Sequence, residues 1–498
     1  MNVNPITRLD YPDPDVIRVE DTYYMVSTTM HFMPGCEILQ SFDLVHWEHV
    51  TYVYETLDHT DAQQLKSGQN IYGQGMWAAS LRYHEGRFYI CFVANDTRKT
   101  YLYTSEKIDG SWKKQLIEGF YHDGSLLFDE DGRNYIVYGN DEIWITELNE
   151  DLTAPKKDGL HRLLVSDHKN PELGYEGSHI QKINGYYYIF LVHSLRDRWM
   201  RTEACFYSDS LEGEFTGGDV LCDDRGYCGQ GVAQGGIVDT PDGKWYAMLF
   251  QDSGAVGRIP ILLPVTWKDH FPIFGQNGHV PEEIEVHSTR PGYIYQPLVG
   301  SDDFCNGLLP RWQFNHDPDP RYYHLDALQG TYTITTREVC TELTQAVNTL
   351  TQRMSYPSCA AEVTVDASAL KEGDVAGLCA LQGCYAAVGI TKHHGKYEVL
   401  MLDKKEDGIL DMTEGTVVES HQMDFRLEAD FCNMKDEARC YYRVNKGDWL
   451  PIGTVHKLYF KLDHFTGCRF GLFCYAAEET GGSVCFRDFK YYDVDEIS

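Results

Sequence analysis

The sequence predicts an all-β chain of two unlike parts: a five-bladed β-propeller followed by a β-sandwich of jelly-roll type. Three observations lead there. One local plan recurs five times before about residue 300, the recurrence stops near residues 286–303, and alternating strands then continue without it. Almost no stretch carries the apolar period of a long amphipathic helix.

The plan is an anchor residue, a short apolar strand, a tight turn and an aromatic-rich return strand. The first copy runs Pro12-Asp13-Pro14-Asp15-Val16-Ile17-Arg18, turns, and returns through Tyr23-Tyr24. The second is anchored at Trp77 and turns at Glu85-Gly86. The third starts Asp123-Gly124-Ser125 and returns through Asn134-Tyr135-Ile136-Val137. The fourth starts Glu176-Gly177-Ser178-His179 and returns through Tyr186-Tyr187-Tyr188, and the fifth is anchored at Gln234 and turns at Asp242-Gly243. The anchors lie 46 to 64 residues apart, which is the period of a propeller blade with loop insertions. The first strand of each blade lines the propeller axis, so the five anchors converge at one end of it. Thr289-Arg290-Pro291-Gly292 and Leu298-Val299-Gly300-Ser301 read as a linker, dividing the chain into a propeller over 1–300 and a sandwich over 301–498. In the second part Tyr332–Thr335, Cys359–Val365 and Arg469–Cys474 alternate as half-buried strands do.

Composition narrows the function. The net charge of -32 disfavours phosphate backbones and anionic membranes as partners, and a neutral substrate suits it. The 15 cysteines are scattered without a Cys-x-x-Cys pair, neither a disulfide framework nor a zinc site. With no apolar run at the N-terminus and no stretch of 18 apolar residues, the expectation is a cytoplasmic protein. A homo-oligomer is compatible with all of this.

Asp13, Asp123 and Glu176 share the phase of the repeat, so closing the propeller gathers three carboxylates at one mouth. Mutual repulsion makes that costly unless it has a use. Glycosidic hydrolysis is such a use: one carboxyl protonates the leaving oxygen, another activates water, and a third anion tunes the acid. Asp21, Asp129, Asp131 and Asp242 read instead as turn residues. Period-2 geometry leaves Asp13 and Asp15 equivalent, because both point to the same side of a strand.

The chain resembles glycoside hydrolase family 43. The resemblance rests on Asn4-Pro5-Ile6, Pro12-Asp13-Pro14-Asp15, Asp21-Thr22-Tyr23-Tyr24, Pro34-Gly35, Ser41-Phe42-Asp43-Leu44-Val45-His46-Trp47, Met76-Trp77-Ala78-Ala79, Asp123-Gly124-Ser125 and Glu176-Gly177-Ser178-His179. Ala79 and Gly124 stand where the family has proline. The C-terminal part is similar to the sandwich of the β-xylosidase and α-L-arabinofuranosidase branches. The resemblance implies an inverting enzyme with Asp13 as general base, Asp123 as the residue that tunes and orients the acid, and Glu176 as general acid. It implies Phe32 and Trp77 as walls of the sugar subsite and Arg258 as a ligand of sugar hydroxyls. Gln234 stands where many members carry a histidine near an axial metal or water. No cofactor is required on this reading. A calcium ion on the axis, or one shared by Asp303 and Asp488 in the sandwich, is the metal expectation, and His31 and His179 are either pocket-lining or structural. The expected substrates are arabinose- or xylose-containing oligosaccharides cut from the end. An endo-acting arabinanase is the alternative, and a non-catalytic carbohydrate-binding propeller is the rival from another class. A sialidase-like propeller is disfavoured, because Ser41-x-Asp43 is not repeated through the propeller span and no arginine triad is evident.

Overall fold

The computed structural model describes residues 3–493; residues 1–2 and 494–498, at the outer edges of the two spans, lie outside the described residues. Five four-stranded antiparallel sheets follow in chain order over 15–54, 76–117, 125–166, 176–221 and 233–274. These are blades one to five. Each is a meander whose first strand is innermost. Apolar side chains alternate along the strands and pack blade against blade, as in the cluster of Val137, Ile145, Ile180 and Ile189 between the third and fourth. The helical segments among the described residues are four 3-10 turns, Lys66–Gly68, Gly254–Val256, Leu343–Gln345 and Cys432–Met434.

The ring is closed by the N-terminal segment running along blade five. Ile6 N–H donates to Pro260 O, Tyr11 N–H donates to Arg258 O, and the Asn4 side chain bonds the backbone N–H and C=O of Leu262. Below the mouth the axis is plugged by Arg82 of blade two. Its guanidinium donates to Asp15 of blade one at 2.8 Å, to Leu126 O and Ser125 Oγ of blade three at 2.8 and 2.7 Å, and to Ile180 O of blade four at 3.2 Å.

The linker is strapped to blade one. Arg290 forks onto Asp21 at 2.8 and 3.1 Å and covers the Phe42 ring, so Asp21 is a strap anchor as well as a turn residue. The sandwich packs a sheet built around Leu350–Arg353, Arg469–Ala476, Asp374–Leu381 and Tyr385–His393 on one built around Ser483–Asp493, Ser358–Asp366 and Gln422–Asp430. Trp312, Phe425, Phe470 and Phe486 fill the space between them.

The two domains share a sheet. Phe32–Met33 of the propeller pairs with Gln313–Asn315 and so forms the edge of one sandwich sheet. This overturns the expectation that Phe32 walls the sugar subsite. Its ring is buried under the Arg469 guanidinium, 3.5 Å away, among sandwich residues such as Leu343 and Phe473. His31 is also removed from the pocket. It is fully buried among Tyr72, His316 and His464, and burial with those two neighbouring imidazoles holds it well below the usual histidine range. Asp303 accepts the Cys305 N–H, while Asp488 lies exposed on a sandwich strand.

An ion pair seals this interface. Arg353 of the sandwich lies 2.8 Å from Glu37 of blade one and stacks on Tyr11, all buried. Burial opposes ionisation of Glu37, but Arg353 and His49 outweigh it and hold the carboxyl at about 2. A depressed acid contributes stability that is complete above its unfolded value, about 4.3, and drains away as pH falls from there through about 2. Glu37→Ala, which strands the Arg353 charge, is expected to cost about 3–5 kcal/mol in urea unfolding at pH 7. The difference from the parent should narrow in titrations taken below pH 4.

Candidate active site

All five blades enter their innermost strand through a left-handed backbone residue at the anchor or within two residues of it: Asp13 (φ 52°), Gly75 (φ 80°), Asp123 (φ 48°), Gly177 (φ 65°) and Gln234 (φ 66°). In three blades the ladder also slips at this point, between Met76 and Ala79, Glu176 and His179, and Ala233 and Gly236. Such a break takes the anchor out of strand alternation and turns the chain where the blades crowd together. At residue 177 only glycine fits, because a Cβ there would lie 2.7 Å from the Gln234 side chain.

The anchors meet in a cavity of about 730 Å³ at the propeller mouth, lined by Asp13, Trp77, Asp123, Glu176, Gln234 and Arg258 among others. Asp13 is buried with both oxygens held, Oδ1 by Arg258 Nη1 at 3.0 Å and Oδ2 by the Thr28 hydroxyl at 2.5 Å. Glu176 is partly open and accepts from Asn140 Nδ2 at 2.9 Å. Asp123 Oδ2 accepts the Gly177 N–H at 2.9 Å, so it grips the backbone next to Glu176. Burial pushes the Asp123 carboxyl up to about 6, and the nearby Glu176 and Asp13 add to this against the pull of His122.

The structure separates the two acids that period-2 geometry left equivalent. Asp13 opens on the cavity, whereas Asp15 lies below it, locked to Arg82 at 2.8 Å and to His179 Nδ1 at 3.1 Å. Burial resists ionisation of Asp15, but Arg82 and His179 prevail and keep it below the usual carboxylate range. His179 is therefore structural. These axial groups do not fit a calcium ion, since a guanidinium already supplies the positive charge between them.

Trp77 lies in the wall, and its indole N–H has no partner among the described residues. The buried Nε and Nη2 of Arg258 are likewise unpaired, which leaves three donors for hydroxyl groups. Gln234 lines the cavity, and its backbone N–H donates to the buried Glu203 at 2.7 Å.

Several site residues are not anticipated from the sequence. His122 directly precedes an anchor, and Asn140 ends the return strand of blade three. Phe120 and Trp199 add aromatic wall. The sandwich contributes Phe460, Lys461, Leu462 and Phe465 from one loop. Phe465 stacks over Arg258 at 4.3 Å and lies 5.6 Å from Trp77, closing one side of the mouth. The available signal was a cluster of aromatics, Tyr459, Phe460 and Phe465, outside any strand. His122, Asp123 and Glu176 each place a donor atom within 4.8 Å of the others, the one such group among the described residues. The group offers one imidazole and two carboxylates, and oxygens of Asp123 and Glu176 are already engaged by the Gly177 N–H and Asn140 Nδ2.

A pocket with facing carboxylates, unpaired hydroxyl-binding donors and aromatic walls, at the mouth of a five-bladed propeller, defines a glycoside hydrolase. Residues 3–272 match the model of glycosyl hydrolases family 43, and residues 301–492 match the β-xylosidase C-terminal concanavalin A-like domain. The chain belongs to glycoside hydrolase family 43. It is 27% identical to a β-xylosidase of Formosa agariphila, covering 99% of this chain and 90% of that protein. It is also 27% identical to a xylosidase/arabinosidase 43B of Humicola insolens, covering 98% and 96% respectively. The solved structure of a bifunctional GH43-CE protein of Bacteroides eggerthii superposes with a TM-score of 0.92 at 42% identity, over 98% of this chain; this chain spans 63% of that one.

Phe465→Ala removes the lid contact from Arg258 without touching a carboxylate. We expect kcat/KM to fall about 10- to 100-fold, mostly through KM, with the thermal midpoint within a few degrees of the parent. Steady-state kinetics and a melting curve check both parts.

Proposed function

We propose that the chain is an exo-acting, inverting glycosidase that removes terminal α-L-arabinofuranosyl or β-D-xylosyl units from short oligosaccharides. The observation that carries this reading is the sandwich loop at the propeller mouth. Phe465 and Leu462 turn what would be an open groove into a pocket with one side shut, and a pocket takes a chain end. An endo-acting arabinanase needs a groove open at both ends. A non-catalytic propeller has no use for three carboxylates in phase. The names of the similar proteins, β-xylosidase and xylosidase/arabinosidase, support a pentose in this pocket. Fifteen free thiols favour a reducing compartment such as the cytoplasm.

In the proposed mechanism the sugar is held by Arg258 and Trp77. Asp13, fixed by Arg258 and Thr28, takes a proton from water as the water oxygen bonds to the anomeric carbon. The bond from that carbon to the leaving oxygen breaks on the opposite face, and Glu176 gives its proton to the leaving oxygen. One displacement inverts the configuration. Asp123 acts through the Gly177 N–H and through its charge, keeping Glu176 in place.

A leaving-group series tests the roles. Glu176→Gln should lose about 10³-fold or more on natural linkages and far less on nitrophenyl glycosides, whose leaving groups need no proton. Asp13→Asn should disable both. Equal losses across the series in the Glu176 variant would remove it as the acid. Proton NMR of the first sugar released should show the inverted anomer. Parallel assays with nitrophenyl arabinofuranoside and nitrophenyl xyloside identify the preferred pentose.

A further inference from the structure

The catalytic cluster holds one titratable group that the mechanism above does not use. His122 Nε2 lies 3.4 Å from Glu176 Oε2 and 3.5 Å from Asp123 Oδ2, bridging the two carboxyls. Its backbone is pinned, with the His122 C=O accepting the Gly139 N–H at 3.0 Å, and its ring sits beside Trp77 in the cavity wall. These contacts are long for tight hydrogen bonds but close for charges, and such contacts commonly shorten once substrate is bound.

We propose that His122 is a positioning residue that carries a positive charge between Asp123 and Glu176 and thereby governs when Glu176 gives up its proton. The proposal rests on the reading of Glu176 as the acid.

The charge balance supports it. Asp13, Asp123 and Glu176 offer three negative charges, and Arg258, 3.0 Å from Asp13, offers one positive. An imidazolium at His122 brings the positive charges to two. One proton on Glu176 then makes the cluster neutral, and that is the state in which the acid is loaded. Burial works against the charge on His122, but Asp123, Glu176 and Asp13 overcome it and raise the group to about 9. Other charged groups face the cavity: Arg98 from blade two, Glu172 from the loop between blades three and four, Arg201 from blade four, Asp252 at the end of blade five's return strand, and Lys461 from the sandwich loop. Arg201 is engaged with Asp252 and Lys461 with Glu406. Among the described residues, only His122 brings a cation within 4 Å of Asp123 or Glu176. When Glu176 passes its proton to the leaving oxygen, the new carboxylate lies beside the imidazolium. His122 keeps its own proton, the proton from water ends on Asp13, and solvent reloads Glu176.

The sign of the effect follows from charge. Removing a cation from beside a carboxylic acid lets the acid keep its proton to higher pH and makes it a weaker donor. With a xylo- or arabino-oligosaccharide as substrate, His122→Gln should move the alkaline limb of kcat/KM upward by about one pH unit. It should also lower kcat at least tenfold more on that substrate than on a nitrophenyl glycoside. His122→Lys, which retains a charge, should return the limb to within about 0.3 units of the parent. His122→Asn serves as a second neutral variant, and melting curves confirm folding. Limbs of the neutral variants that superpose on the parent would overturn the proposal, as would a Lys variant that behaves like Gln. Glu176→Gln is run alongside. If it keeps its leaving-group signature while the His122 limb does not move, only this inference fails; if it loses the signature, the acid assignment fails first.

Discussion

The fold turns on one guanidinium. Five sheets closing into a ring leave a polar axis, because every innermost strand brings its anchor and its first side chains there. Arg82 answers this from below the mouth, tying blade two to three others at once and neutralising the buried Asp15. Charge-assisted hydrogen bonds in a low-dielectric interior are strong when every partner is satisfied. That floor gives the pocket its shape. Above it, the left-handed residues at the blade entrances release Asp13, Asp123 and the strand after Glu176 from alternation, so three acids face one volume.

The propeller was legible because repetition is a one-dimensional signal: anchors in phase along the chain become neighbours on the axis, whatever the loops do. Repeat phase also grouped Asp13, Asp123 and Glu176. It could not choose between Asp13 and Asp15, which differ only in depth, and depth is fixed by Arg82 and His179 from other blades. Phe32 misled because its fate is decided by Phe314 and Asn315, some 280 positions away, which pull that two-residue strand out of the blade. His122, Asn140 and the Phe460–Phe465 loop were illegible for a related reason. None repeats, and each matters only through a partner contributed by another element.

The sandwich helps to build the site as well as supporting it. Asp10 shows how: one oxygen accepts the Arg258 N–H and the other the Gly467 N–H, each at 2.8 Å, so a single carboxylate ties the arginine of the pocket to the end of the lid loop. Gly257 allows this approach, since a Cβ there would fall 2.4 Å from Asp10. The Arg353 side chain reaches the carbonyl of the same residue from the sandwich side.

Most multidomain hydrolases can be read as a catalytic module with an appendage that recombination adds or removes. The strand Phe32–Met33 places this chain outside that pattern. A sandwich cut away from its propeller would lose the edge of a sheet, and the propeller would expose unpaired backbone beside its own pocket. The two halves are thus joined through backbone hydrogen bonds as well as through side-chain packing. A change in the pocket can therefore be made in the lid loop alone, whereas a replacement sandwich would also have to supply a strand that pairs with Phe32–Met33.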